Sequence, residues 1–239
     1  MSKGIVISLY DYTGEALKPW AMNGYECYAF DIQHTSNPME WFYGDDGVYG
    51  NIRYRYADLH DFDTHKEIFN QFNGKRVIFG MAFPVCTDLA VSGAAHFKRK
   101  EEANPGFQDK AAQHAIDCAH LFEDLGCPYF IENPVSVLAT KWRKPDYSFH
   151  PYEYGEYIPD DEAEHPRWPD YIAPKDAYTK KTCLWTSYSF RMPHRLPTCK
   201  PNGYSAQHLK LGGKSKRTKD IRSATPRGFA TAVYEFNRA

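Results

Sequence analysis

Cys86 follows the apolar run Arg76 to Phe83, with Pro84 two residues before it and Ser92-Gly93 after it. A cysteine so placed can serve as a nucleophile, because a thiolate is soft and reacts near neutral pH once its pKa is lowered. Glu132 closes the next apolar run, Pro128 to Glu132. Burial at such a place raises a carboxyl pKa, so the group can meet a ligand as a neutral acid. Asp11, Asp31 and Asp58 close three earlier runs. Each of these residues also has a plainer reading. A lone cysteine after a strand is often a small buried hydrophobe. Glu132 could cap a turn, and Asp31 and Asp58 could be turn residues.

The elements that would position these groups follow from local pattern. Ile5 to Tyr10 reads as a buried strand running into a turn, and Ala16 to Asn23 as a helix stopped by Gly24. Tyr25 to Ile32 and Arg53 to Ala57 read as the second and third strands. Asp63 to Phe72 reads as a helix capped by Asp63 or Thr64, with Ile68, Phe69 and Phe72 as its apolar stripe. Arg76 to Phe83 is a fourth strand. Ala112, Ala115, Ile116, Ala119, Phe122 and Leu125 recur at helical spacing, which predicts a helix over Gln108 to Leu125. Pro128 to Glu132 is a fifth strand, Leu184 to Tyr188 a further one, and Pro226 to Asn237 a closing helix.

Strands alternating with helices predict an α/β fold with a Rossmann-like, mainly parallel sheet and helices on both faces. Ligands of such sheets bind beyond the carboxyl ends of the strands. Asp11, Asp31, Asp58, Cys86 and Glu132 all fall there.

With 239 residues, 42% of them hydrophobic, the chain can bury a sizeable core in one domain spanning 1–239. Residues 157–176 are acidic and rich in proline and aromatics, and read as a surface insertion. The six scattered cysteines form no CxxC pair and suit a reducing, cytoplasmic setting better than a disulfide scaffold. No apolar run is long enough to span a membrane. The net charge of −1 means that attraction to phosphates must be local. Lys210 to Arg227, with seven lysines or arginines against one aspartate, is the steepest such stretch. Cys183, His194, Cys199 and His208 lack the spacing of a structural zinc finger, and no metal is expected.

Leu9-Tyr10-Asp11-Tyr12-Thr13-Gly14, Phe30-Asp31-Ile32, Ala57-Asp58-Leu59, Phe83-Pro84-Val85-Cys86 through Ser92-Gly93, Glu132-Asn133-Pro134 and Arg222 to Ala230 occur in that order across nearly the whole chain. The set resembles the motifs of the cytosine carbon-5 DNA methyltransferases, most closely the short phage-encoded proteins of that kind. The resemblance implies a class I methyltransferase fold with S-adenosylmethionine as cofactor. It implies that Asp11, Tyr12, Thr13, Gly14, Asp31, Ile32, Asp58 and Pro84 bind the cofactor. It makes Cys86 and Glu132 catalytic, and places Ser92, Asn133, Pro134, Lys181, Arg222 and Arg227 against the substrate. The partner implied is DNA, duplex or single-stranded, or a cytidine nucleotide, with no obligate protein partner. The setting is the host cytoplasm if the chain is phage-encoded.

The chemistry fits those residue types. Ring carbon 5 of cytosine is not nucleophilic until a thiolate adds to carbon 6 and an acid engages ring nitrogen 3. The chain departs from the family in three places. Its first motif has one glycine, Gly14; Val85 separates Pro84 from Cys86; and the stretch between Asn133 and Arg222 is too short for a full target-recognition domain. Lys180-Lys181-Thr182 is the nearest counterpart to the family's Gln-x-Arg-x-Arg element. The expectation is methyl transfer to carbon 5 of cytosine in DNA. The alternatives are the same reaction on a free cytidine nucleotide, or an inactive nucleic-acid-binding relative.

Overall fold

The computed structural model describes residues 3–34, 52–203, 205–212 and 215–238. Gly213 and Lys214 of the basic stretch lie outside them. In chain order the elements are β1 (Ile5–Leu9), α1 (Lys18–Met22), β2 (Glu26–Asp31), β3 (Ile52–Tyr56), α2 (Phe62–Phe72), β4 (Val77–Ala82), α3 (Phe97–Ala103), α4 (Phe107–Asp124), β5 (Tyr129–Pro134), α5 (Leu138–Lys141), β6 (Tyr147–Phe149), β7 (Thr182–Thr186), α6 (Ala206–Lys210), α7 (Lys216–Ser223) and α8 (Arg227–Asn237).

The strands form one sheet in the order β3-β2-β1-β4-β5-β7-β6. The first five are parallel, β7 runs antiparallel to β5, and β6 antiparallel to β7. Parallel neighbours need crossover helices, and these cover both faces. The arrangement is Rossmann-like, that of a class I methyltransferase fold. The order reverses between β1 and β4, which makes their carboxyl ends the natural crevice.

Alternation along each strand divides the core in two. Ile7, Leu9, Phe30 and Ile131 face α2 and α4, where they meet Ile68, Phe72, Ala115 and Phe122. Val6, Ala29, Phe79 and Phe130 face the other way, against Trp20 of α1, Phe229 and Val233 of α8, and Tyr154. Phe122 lies so close over β4 that a Cβ on Gly80 would come within 2.4 Å of its ring. That contact requires glycine in mid-strand.

Several expected boundaries change: the strand expected over Leu184 to Tyr188 runs Thr182–Thr186, and β5 extends past Glu132 to Pro134. Asp61 rather than Asp63 or Thr64 caps α2, its carboxylate accepting from the Asp63 amide at 3.0 Å. The first helix is shorter, because Glu15–Leu17 form a 3-10 turn ahead of Pro19. The insertion consists of 3-10 turns, at Asp160–Glu162 and Pro174–Asp176, joined by irregular chain. Trp168 and Tyr171 pack there on a small cluster of Ile172, Tyr178, Leu211 and Ile221.

Candidate active site

A cavity of about 740 Å³ opens at the carboxyl ends of β1 to β5, roofed by α7. Asp11, Tyr12, Thr13, Asp31, Ile32, Asp58, Pro84, Cys86, Ser92, Glu132, Pro134 and Arg222 all line it.

The first loop is built around a buried carboxylate. Asp11 accepts from the Ser8 hydroxyl and from the Gly14 amide, both at 2.7 Å, and from the Thr13 hydroxyl at 3.3 Å. Burial still dominates and pushes its pKa up to about 6. Gly14 is left-handed (φ 68°), and a Cβ there would strike the Tyr54 hydroxyl, so one glycine suffices to close the turn. Gly14 shapes this loop from behind and does not itself line the cavity. Tyr10 just before it holds φ 57°, a costly conformation for an aromatic residue. Its hydroxyl donates to the Leu59 carbonyl at 2.8 Å, tying the β1 loop to the β3 loop.

Asp31 and Asp58 stiffen the neighbouring loops by accepting from the amides of Gln33 and His60, at 2.8 and 3.1 Å. Beside them Ile32 is 54% exposed, an apolar surface turned out of the core.

Cys86 sits in a tight turn after β4, where its carbonyl accepts from the amides of Leu89 and Ala90 at 3.0 and 2.8 Å. Its side chain is partly accessible from the cavity. Burial raises the thiol pKa, the Glu132 carboxylate raises it further, and the Lys180 ammonium opposes both. Glu132, on the neighbouring strand β5, is shifted up by burial against the same lysine. Thiol, carboxyl and ammonium therefore feel one another across a single space.

Three expected substrate contacts lie elsewhere. Asn133 is wholly buried, and its amide donates to the Pro84 carbonyl at 3.1 Å. It is a strut that holds the Cys86 loop to β5, because strand alternation turns residue 133 away from the face that carries residue 132. Lys181 does not line the cavity; Lys180 does. Arg227 points into the insertion, where its guanidinium donates to the carbonyls of Glu162 and Ala163 at 3.0 Å.

No family model matches the chain, and no curated relative does. Among solved structures it is similar to the MycE methyltransferase from the mycinamycin biosynthetic pathway, in complex with Mg and SAH. The identity is 15% and the TM-score 0.32, over 89% of this chain. The chain spans about half of that structure's length (49%).

Sequence reasoning missed several residues of the cavity wall, chief among them Lys219, Thr218, Ser223 and Thr225. The positive run Lys210 to Arg227 was the available signal, but its helix phase was not assigned. Among the described residues no group of three histidines, cysteines, aspartates or glutamates is placed to hold a metal ion. No described helix is long and apolar enough to cross a membrane.

Proposed function

We propose that the chain is an S-adenosylmethionine-dependent methyltransferase that modifies carbon 5 of cytosine in DNA, through a covalent adduct with Cys86. The observation that carries this reading is the pairing of Cys86 and Glu132 at the ends of adjacent strands, lining the same cavity as the aspartates of β1 to β3.

The residues present fit the cofactor. The acid of Asp31 suits ribose hydroxyls, the exposed face of Ile32 suits a purine, and the turn from Asp11 to Gly14 leaves room beside β1. When bound, the cofactor supplies an electrophilic methyl group. The protein's own groups do the rest. A thiol beside a carboxylate resists ionisation, and so does a carboxylic acid beside a thiolate. Passing the thiol proton to Glu132 moves the pair's single negative charge from the carboxylate to the sulfur and never requires two. It yields a thiolate and a neutral acid together, the pair needed at carbon 6 and nitrogen 3. The thiolate adds to carbon 6, and Glu132 hydrogen-bonds or protonates nitrogen 3. The electron pair that arrives at carbon 5 takes the methyl group. Loss of the carbon-5 proton to a base then restores the ring double bond and expels the thiolate.

A second reading keeps this chemistry on a free cytidine nucleotide. It is favoured by the insertion, none of whose residues 157–176 lines the cavity. A reduced recognition surface there would be turned away from the reacting base.

The test is adduct trapping. DNA carrying 5-fluorocytosine has no carbon-5 proton to lose, so it should remain covalently attached to the wild-type protein when cofactor is present and not to Cys86→Ala. Free 5-fluoro-dCMP is the parallel acceptor. An adduct with neither would sink the catalytic reading and leave an inactive relative.

A further inference from the structure

We propose that Lys180, Lys219 and Arg222 form an anion-holding wall that grips the phosphate of the acceptor nucleotide, so that nucleoside and base are poor acceptors. This rests on the reading of the cavity as a cytosine site.

Helix α7 carries four basic residues, and the structure divides them into two pairs. Lys216 lies 3.6 Å from the centre of the Tyr12 ring and 3.4 Å from the Asp220 carboxylate. Arg217 lies over Tyr171 at 5.1 Å. These two are spent on fastening the helix. Lys219 and Arg222, three residues apart and therefore neighbours on one helical face, turn into the cavity instead. Lys180 joins them there, its ammonium donating to the Arg222 carbonyl at 2.9 Å. One terminal nitrogen of the Arg222 guanidinium donates to the Leu211 carbonyl at 2.7 Å, which fixes the orientation of the head group. None of the three is ion-paired with a carboxylate among the described residues. Asp220, the one carboxylate of α7, is taken by Lys216.

Three cations facing one cavity repel one another, and a net charge of −1 gives no general positive field to explain them. An arriving anion relieves that repulsion. Asp11, Asp31 and Asp58 line the cavity at β1 to β3, whereas Lys180, just before β7, is joined to Arg222 of α7. The carboxylates nearest these cations are Glu132, on which the Lys180 charge acts, and Asp220, which pairs with Lys216. Lys180 acts directly on both Cys86 and Glu132, so the wall begins next to the reacting groups. An anion held there belongs to the same nucleotide as the base, or to its immediate neighbour. The chemistry that meets these conditions is a phosphate carried on the acceptor, with Arg222 able to fork two donors onto it.

Calorimetry with cytidine, dCMP and a short single-stranded oligonucleotide holding one cytosine separates the outcomes. Expected is binding of dCMP or the oligonucleotide at least about tenfold tighter than cytidine, with the tighter of the two showing which source of phosphate the wall serves. Lys219→Glu, an exposed change that should fold normally, is expected to erase that preference, and Arg222→Glu to do the same. Equal binding of all three probes, no binding of any, or a preference that survives both variants overturns the wall. Preference for phosphate without any 5-fluorocytosine adduct upholds the wall and rejects the reaction proposed above.

Discussion

Cys86 in the resting protein is held as a thiol by burial and by Glu132, with Lys180 pulling the other way. Each neighbour can be removed separately. Glu132→Gln deletes the negative charge and should lower the pH at which the thiol ionises. Lys180→Met should raise it. Alkylation of Cys86 by iodoacetamide, followed from about pH 6 to about pH 10, reads both directly, since only the thiolate reacts. Profiles that coincide with wild type in both variants would show that the three groups do not share one electrostatic space. Residue types and order were enough to place Cys86 and Glu132 on one cavity, because one follows and the other lies near the carboxyl end of adjacent parallel strands. They were not enough to orient Asn133, Lys181 or Arg227. A motif names neighbours along the chain, whereas a pleated strand sends successive side chains to opposite faces. Asn133 was paired with Glu132 by sequence and is separated from it by that alternation.

The long elements were legible and the short ones were not, for a reason of counting. Helix α4 repeats its apolar stripe over 18 residues, so its period is unmistakable. Helices α5, α6 and α7 and the three-residue β6 offer one or two turns of pattern at most. Their placement is decided by tertiary contacts, as when Lys216 and Arg217 of α7 lie over the rings of Tyr12 and Tyr171. The tight fit of α4 on β4 is also invisible in sequence, since it depends on Gly80 lying directly under Phe122. Gly80→Ala places a methyl group within 2.4 Å of the ring, so helix or ring must move. Overpacking of this kind costs about 1–3 kcal/mol. Urea unfolding should show the loss as a lower midpoint with an unchanged slope. A midpoint equal to wild type would mean that α4 sits farther from the sheet than the 2.4 Å contact requires.

Across the molecule, the insertion is fastened to the sheet's helices by buried charge, and that choice makes stability depend on pH. Arg167 reaches the Glu15 carboxylate at 3.4 Å, and the Asp176 carboxylate accepts from the Gly228 amide at 3.0 Å, at the start of α8. Asp176 is wholly enclosed, and burial raises its pKa from 3.8 to about 6 despite that hydrogen bond and the nearby Arg227. A carboxyl whose pKa is higher folded than unfolded binds its proton more tightly in the folded state. Its contribution is therefore full below the unfolded value near 3.8 and is lost as pH rises through about 6. Asp11 has the same sign and the same range. Two units correspond to roughly 2–3 kcal/mol for each group, as an order of magnitude. The chain should thus be more stable at about pH 5 than at about pH 8 as far as these two residues decide it. Asn at position 176 carries no charge, can still accept from the Gly228 amide, and tolerates the left-handed φ of 51° found there. Asp176→Asn should therefore stabilise the protein by about 2–3 kcal/mol at about pH 8 and by roughly half as much at about pH 5. Paired urea titrations at the two pH values measure the difference. An equal effect at both would mean that Asp176 is already protonated, or already fully paired, throughout that range.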